Sequence, residues 1–177
     1  LEQENFEHFN FDYYSSNYRD RLSGQNSREL ATRAYQECMN FIRDFDTEHG
    51  NLLLFGNTGI GKTFLSHCIA KEVMDSLHSV LYLTASEFFD ALLEKALNRN
   101  DESCLLYEQI HLCDLLIIDD LGTERNTDFV VSQLFVCLND RILNRKSTII
   151  STNLTLEEIK TNYTCLLYTS DAADEED

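Results

Sequence analysis

Residues 56–63 read Gly56-Asn57-Thr58-Gly59-Ile60-Gly61-Lys62-Thr63. They fit G-x-x-x-x-G-K-[ST] at every position. That spacing suits one chemistry, the cradling of a polyphosphate. The glycines let successive backbone N–H groups turn inward as an anion nest. A helix opening at the end of the loop adds its free N–H groups and the positive end of its dipole. Lys62 is then placed to reach the β- and γ-phosphates of a nucleoside triphosphate. Thr63 is placed to give its hydroxyl to Mg²⁺. A chance glycine-rich turn is the bland alternative, and it fits the flanking pattern poorly.

Two further clusters suit the same chemistry. In Leu115-Leu116-Ile117-Ile118-Asp119-Asp120, four apolar residues put Asp119 at the carboxyl end of a buried strand. Ligands of open α/β sheets bind at that edge. Asp119 is expected as the Mg²⁺-side carboxylate, acting through a metal-bound water. Asp120 is expected to orient and deprotonate an attacking water, with Glu124 as a weaker candidate for that role. Ser151-Thr152-Asn153 ends the next apolar run, where Asn153 can hydrogen-bond a γ-phosphate or the water. Solvated acids and a polar strand exit are the plain alternatives.

The elements that must position these groups follow from periodicity. Aromatics crowd 1–26 (Phe6, Phe9, Phe11, Tyr13, Tyr14, Tyr18) without a clean period, which predicts an irregular lead-in. Over 27–45, Leu30, Ala34, Cys38, Phe41, Ile42 and Phe45 recur at three and four residues. That is an amphipathic helix, with Ser27 as its expected N-cap. Short apolar runs at 51–55, 79–84, 114–119 and 147–152 predict buried strands. Helices are expected at 62–77, 86–97, 103–112 and 127–144. The last should bury Phe129, Val130, Leu134, Leu138, Ile142 and Leu143 on one side. Thr155 with Glu158 three residues on is a capping box. Strand and helix alternate four times, so a parallel sheet with helices on both faces is expected, a three-layer α/β/α P-loop fold.

Composition narrows the classes. The 177 residues are 43% apolar and 25% charged, with 31 acids against 14 bases and a net charge of -17. That argues against a stand-alone nucleic-acid binder held by a broad basic face. Arg141, Arg145 and Lys146 form the one small basic cluster, expected as a solvated helix end. No apolar run approaches the roughly 20 residues of a membrane span. The six cysteines form no C-x-x-C pair and read as small buried hydrophobes in a reducing compartment. His67, His78 and His111 read as surface or packing histidines. The chain opens on Leu1 rather than Met, which suggests a fragment.

Together, GNTGIGKTFLSHCIAKE, LLIIDDLGTE and STIISTNLTLEEI resemble the AAA+ ATPases of the DnaC/DnaI-type helicase-loader branch and their IstB-type relatives, over roughly residues 5–164. The resemblance implies ATP and Mg²⁺ as cofactors and a cytoplasmic protein of DNA replication. Its activity would be ATP hydrolysis as a release switch after a replicative DNA helicase is loaded on single-stranded DNA. It implies a homo-oligomer in the intact parent. It assigns Gly56, Asn57, Thr58, Gly59, Ile60, Gly61, Lys62 and Thr63 to the Walker A loop, and Asp119 and Asp120 to Walker B. Asn153 matches the sensor 1 position. Many relatives carry Glu where Asp120 stands, one methylene longer.

The same resemblance marks absences. No Arg follows Arg145, so by this resemblance the lid with its arginine finger and sensor 2 is expected to be missing from the residues given. Such a finger contributes about 10³ to 10⁵ in rate, and hydrolysis by this chain is expected to be weak or absent. Residues 165–177 shift abruptly to an acidic composition. Cys165 to Glu175 resembles the conceptual translation of a transposase-end sequencing adapter, which predicts a non-native tail. Without it the net charge is -12. The expected organisation is a lead-in at 1–26, an AAA+ ATP-binding domain at 27–164 and the tail. An IstB-like transposition helper is the nearest alternative, with the Gly122-Thr123-Glu124 phrase and the lead-in favouring the loader. A small-molecule P-loop kinase would need lid arginines, and only Arg125 lies between Asp120 and the long helix. An inactive nucleotide-binding remnant is the last alternative.

Overall fold

The computed structural model describes residues 5–17, 19, 24–97, 101–123 and 128–163, without the side chains of 101–104, 128 and 130. Tyr18, the break at 98–100, Glu124, Arg125, Thr127, the side chains of Cys104 and Val130, and the tail at 165–177 lie outside the described residues.

Four strands form one parallel sheet: β1 (Asn51–Phe55), β2 (Val80–Thr84), β3 (Leu115–Leu121) and β4 (Ser147–Thr152), in the order β1-β4-β3-β2. The central pair is covered on both faces, and all six residues of β4 are buried. This explains the uninterrupted apolar runs, because alternation survives only where one face meets water. Leu115 and Ile117 of β3 join Ile149 beneath α1 (Ser27–Arg43) and α3 (Lys62–Asp75). Leu116 and Ile118 join Ile150 beneath α4 (Ala85–Ala96), α5 (Asp101–Leu112) and α6 (Asp128–Leu143). These are the three expected layers. Edge strand β1 leaves Leu53 and Phe55 exposed.

Several element boundaries differ from the sequence expectation. The cap of α1 is Asn26, not Ser27: its extended backbone lets Oδ1 accept from Glu29 N, and the Glu29 carboxylate accepts from Asn26 N. The helix ends at Arg43. A one-turn helix α2 (Phe45–Glu48) follows, closed by His49 in the left-handed region. Helix α3 stops at Asp75, short of Leu77, which takes positive φ. Thr84 with Glu87 forms a capping box for α4 that periodicity did not reveal, while Thr155 with Glu158 caps α7 (Leu156–Asn162) as expected.

The buried face of α6 is also different. Leu134, Cys137 and Arg141 face inward, whereas Phe129, Ile142 and Leu143 are exposed. Arg141 is therefore not part of a solvated basic cluster. It is 0% exposed. Its guanidinium donates to Ile110 O (2.6 Å), Cys113 O (3.2 Å), Ser147 O (2.5 Å) and Thr148 Oγ1 (3.0 Å). The first two acceptors lie at the carboxyl end of α5, where a cation meets the negative dipole end. Lys146 pairs with Asp114 at 2.8 Å.

The lead-in is packed rather than loose. Two short 3₁₀ turns (Phe6–His8 and Phe11–Tyr13) set Phe6 and Phe9 against the α1/α3 core. Phe9 contacts Tyr35 and Phe64 and stacks on Tyr14. Beyond the surface or packing role expected of them, two of the three histidines pair with acids. His78 bonds Asp46 at 2.8 Å, His111 bonds Asp140 at 2.7 Å, and His67 lies against Tyr82. Cys38, Cys68, Cys113 and Cys137 are buried free thiols. Among the described residues no helix is long and apolar enough to cross a membrane.

Candidate functional site

The loop 56–61 leaves β1 at the carboxyl edge of the sheet and delivers the chain into α3. Gly56, Asn57, Thr58, Gly59, Ile60 and Gly61 make the turn, and Gly56, Gly59 and Gly61 all take positive φ. At Gly61 the need for glycine is double. Its φ is +96°, and a Cβ there would lie 2.7 Å from Tyr14 Oη. That hydroxyl donates to Ile60 O at 2.9 Å, so the lead-in is strapped onto the loop. Burial raises the Tyr14 pKa.

The start of α3 differs from other helix starts in the chain. Helices α1, α4 and α7 each open with a capping box that brings a glutamate to their free N–H groups. Helix α3 opens on Gly61, with no side-chain cap and no acid in its first turn. Its free donors and positive dipole end are left for an anion.

Lys62 is 8% exposed and its three ammonium protons are all engaged. It donates to Gly56 O (2.8 Å), Asn57 O (3.0 Å) and Asn153 Oδ1 (2.8 Å). Burial lowers its pKa, against the opposing fields of Asp120 and Asp119. Asn153 sits within hydrogen-bond range of Thr58 Oγ1 and Asp120 Oδ1 as well, at 3.4 and 3.5 Å. The motif lysine, the strand-end asparagine and the second aspartate thus form one chain of contacts.

Asp119 is buried, 6% exposed. Thr63 Oγ1 donates to its Oδ2 at 3.3 Å. The pairing of a hydroxyl with one carboxylate is a hard-oxygen set of the kind Mg²⁺ takes beside phosphate oxygens. Among the described residues no group of three or more His, Cys, Asp or Glu could hold a metal by itself. Thr63 and Asp119 fit a cation that shares its coordination with phosphate oxygens. All the expected site residues are gathered at one edge, apart from Glu124, which lies outside the described residues.

The strand does not end at Asp119 as expected. Between the pairs Ile118↔Ile150 and Leu121↔Thr152 the register shifts, so Asp119 and Asp120 together oppose Ser151. This is a β-bulge. Asp120 takes the left-handed conformation, φ +59°, and its N–H donates to Ser151 Oγ at 3.0 Å. The bulge returns Leu121 to the face of Leu116 and Ile118. It leaves Asp119 buried near Thr63 and Asp120 exposed near Asn153. A regular strand would bury one acid on each face.

Two further residues grip Asp119: Tyr82 stands outside every motif, and Ser151 begins the Ser151-Thr152-Asn153 run without a role read for it. Tyr82 Oη donates to Asp119 Oδ2 at 2.6 Å, and Ser151 Oγ donates to Asp119 Oδ1. Only the pairing of β2 and β4 with β3 brings them there.

A four-stranded parallel sheet, a phosphate loop between β1 and α3, and paired acids on β3, one strand removed across β4, define a P-loop protein of the AAA+ type. The solved structure of the DnaC helicase loader superimposes with a TM-score of 0.68 at 21% identity, over 94% of this chain and 93% of that one. The chain belongs to the IstB-like ATP binding protein family, whose model matches residues 5–170. Among curated relatives, it is 25% identical over 152 residues to the chromosomal replication initiator protein DnaA of Treponema pallidum, covering 85% of this chain and 31% of that protein. It is 32% identical over 140 residues to the phage-like element PBSX protein XkdC of Bacillus subtilis, covering 70% and 49%. With the replicative helicase loader DnaC of Escherichia coli it shares 24% identity over 143 residues, covering 81% and 56%. The chain thus spans about a third to a little over half of the length of these relatives.

Proposed function

We propose that this chain is the ATP-binding core of a replication protein that loads the replicative DNA helicase onto single-stranded DNA, with ATP hydrolysis as its release switch. The observation that carries the nucleotide reading is the uncapped start of α3 beside a lysine held in place by carbonyls and Asn153. In this reading Gly56 to Thr63 cradle the phosphates. Lys62 exchanges its carbonyl partners for phosphate oxygens, and Thr63 and Asp119 face the Mg²⁺ that accompanies the nucleotide. Asp120 takes the proton of an attacking water, with Asn153 orienting that water or the γ-phosphate. The metal ion supplies charge neutralisation of the phosphates when bound.

Residues 27–164 form the ATP-binding unit in this reading, with the lead-in strapped to the P-loop through Tyr14 and 165–177 as a non-native tail. Loader action is supported by likeness to DnaC. Single-stranded DNA contact belongs to the assembled homo-oligomer, since Arg141 is buried and Lys146 is paired. The family match itself favours a second reading, an IstB-like transposition helper built on the same switch.

The test is Mg-ATP binding by the wild type and Lys62→Ala, read as a thermal shift. Ligand at a hundredfold over Kd stabilises by about 2.7 kcal/mol. We expect a shift in the wild type that Lys62→Ala abolishes. Equal shifts in both, or none in the wild type, would sink the reading. Stimulation of helicase loading against stimulation of transposition by the intact parent then separates the two partner readings.

A further inference from the structure

We propose that Tyr82 and Ser151 are positioning residues for Asp119 and set how strongly Mg²⁺ reinforces nucleotide binding. The inference rests on the nucleotide reading above. Asp119 is buried, yet neither of its carboxylate oxygens is left to solvent alone. Ser151 Oγ donates to Oδ1, and Tyr82 Oη donates to Oδ2 at 2.6 Å. Thr63 Oγ1 approaches the same Oδ2 at 3.3 Å.

Each grip has its own support. Ser151 Oγ also accepts the N–H of Asp120, so it is oriented by the bulge it spans. One hydroxyl therefore sets both acids: it receives from the backbone of one and gives to the side chain of the other. The Tyr82 ring packs on the α1/α3 face of the sheet and lies 4.9 Å from the His67 ring, centroid to centroid. His67 stands one helical turn beyond Thr63, so one face of α3 carries both the hydroxyl for the metal and the ring that backs Tyr82.

The physical consequence concerns orientation. A free carboxylate turns about its Cβ–Cγ bond and samples positions that do not face the cation. Two hydroxyl donors pin the plane and keep the negative charge satisfied in a buried place. Oδ2, which Thr63 Oγ1 also approaches, is then the oxygen held ready to accept from a metal-bound water beside Thr63. Partners that hold a metal-facing group in this way are typically worth about 10- to 100-fold in metal affinity. Nucleotide binding without metal uses the loop, the start of α3 and Lys62, whose bonds run to Gly56 O, Asn57 O and Asn153 Oδ1 rather than to Asp119.

The experiment measures binding of a fluorescent ATP analogue to the full chain, in EDTA and across a Mg²⁺ titration. Wild type, Tyr82→Phe, Ser151→Ala, Ser151→Thr and Lys62→Ala are compared, with thermal melts confirming that each is folded. The expected result is wild-type affinity in EDTA for Tyr82→Phe and Ser151→Ala, and a half-maximal Mg²⁺ concentration raised about 10-fold or more. Ser151→Thr, which keeps the hydroxyl, should restore the wild-type titration. Lys62→Ala should lose binding in both conditions. A Tyr82→Phe titration that superimposes on the wild type overturns the role of Tyr82. An equal loss with and without Mg²⁺ marks a merely structural role and also overturns it. A wild type that binds no nucleotide in either condition removes the nucleotide reading and the inference together.

Discussion

Replacing Arg141 with methionine distinguishes a structural cation from a solvated helix end. The guanidinium is fully buried and serves Ile110 O, Cys113 O, Ser147 O and Thr148 Oγ1. These acceptors come from the end of α5 and the start of β4, so one side chain on α6 ties three elements together. Methionine keeps an unbranched apolar stem, shorter than arginine, and removes every donor. Each buried acceptor left without a partner costs about 1–3 kcal/mol. The four costs do not add fully, because the site relaxes and because the desolvation cost of a buried cation is relieved. A net loss of about 3–5 kcal/mol is expected, the range for breaking a buried charged network. At this chain length that is a fall of about 6–20 °C in Tm. Thermal and urea melts of wild type, Arg141→Met and Arg141→Lys measure it. Lysine keeps the charge and three donors, so its loss should be smaller. Mg-ATP affinity of the folded fraction should not change, because Arg141 lies at the opposite end of the strands from the P-loop. A methionine variant within about 0.5 kcal/mol of the wild type, the usual range for a surface substitution, would refute the reasoning.

Gly122→Ala should destabilise by about 2–4 kcal/mol, because φ is +103° and a Cβ would lie 2.7 Å from Leu154 Cδ1. Since Leu154 follows Asn153, Mg-ATP affinity should fall with it; wild-type melts and affinity in this variant would refute the account. Asp114 is opposed by its own burial, but the Lys146 ammonium and the hydroxyl and N–H of Ser79 outweigh that and hold its carboxyl well below the ordinary 3.8. Its folded pKa is lowered, so its contribution is full above the unfolded value near 3.8 and is lost as pH falls through the folded value. The stability gap between wild type and Asp114→Asn, followed by urea melts, should be largest near neutral pH and close in acid. A gap unchanged down to pH 2 would contradict this. Burial pushes the Cys38 and Cys137 thiols up to about 12. Iodoacetamide at about pH 8, with mass-spectrometric readout, should therefore label both only after denaturant is added, the native thiolate being on the order of a thousandfold scarcer than in a free cysteine.

The elements themselves were legible in sequence because their signals are local. Solid apolar runs placed β1 and β4 at their observed limits, and Thr155 with Glu158 announced the start of α7. The phosphate loop is readable because the positive φ of Gly56, Gly59 and Gly61 and the Lys62 bonds to Gly56 O and Asn57 O lie within its own eight residues. Asn26 and Ser27 are both good caps, and only the extended backbone at Asn26 decides between them. What tertiary structure decided lies between strands. The bulge at Asp119 and Asp120 depends on two residues opposing the single Ser151, and no periodicity within LLIIDDL carries that mismatch. Tyr82 and Ser151 reach Asp119 only because β2 and β4 flank β3. Basic residues near a helix end usually face solvent, and Arg141 carries no local sign of its burial. It is buried because four acceptors from other elements converge where α6 crosses them. Local patterns follow from neighbours along the chain, and these contacts follow from neighbours across it, which is why the sequence alone revealed the loop but not the grips on its paired acids.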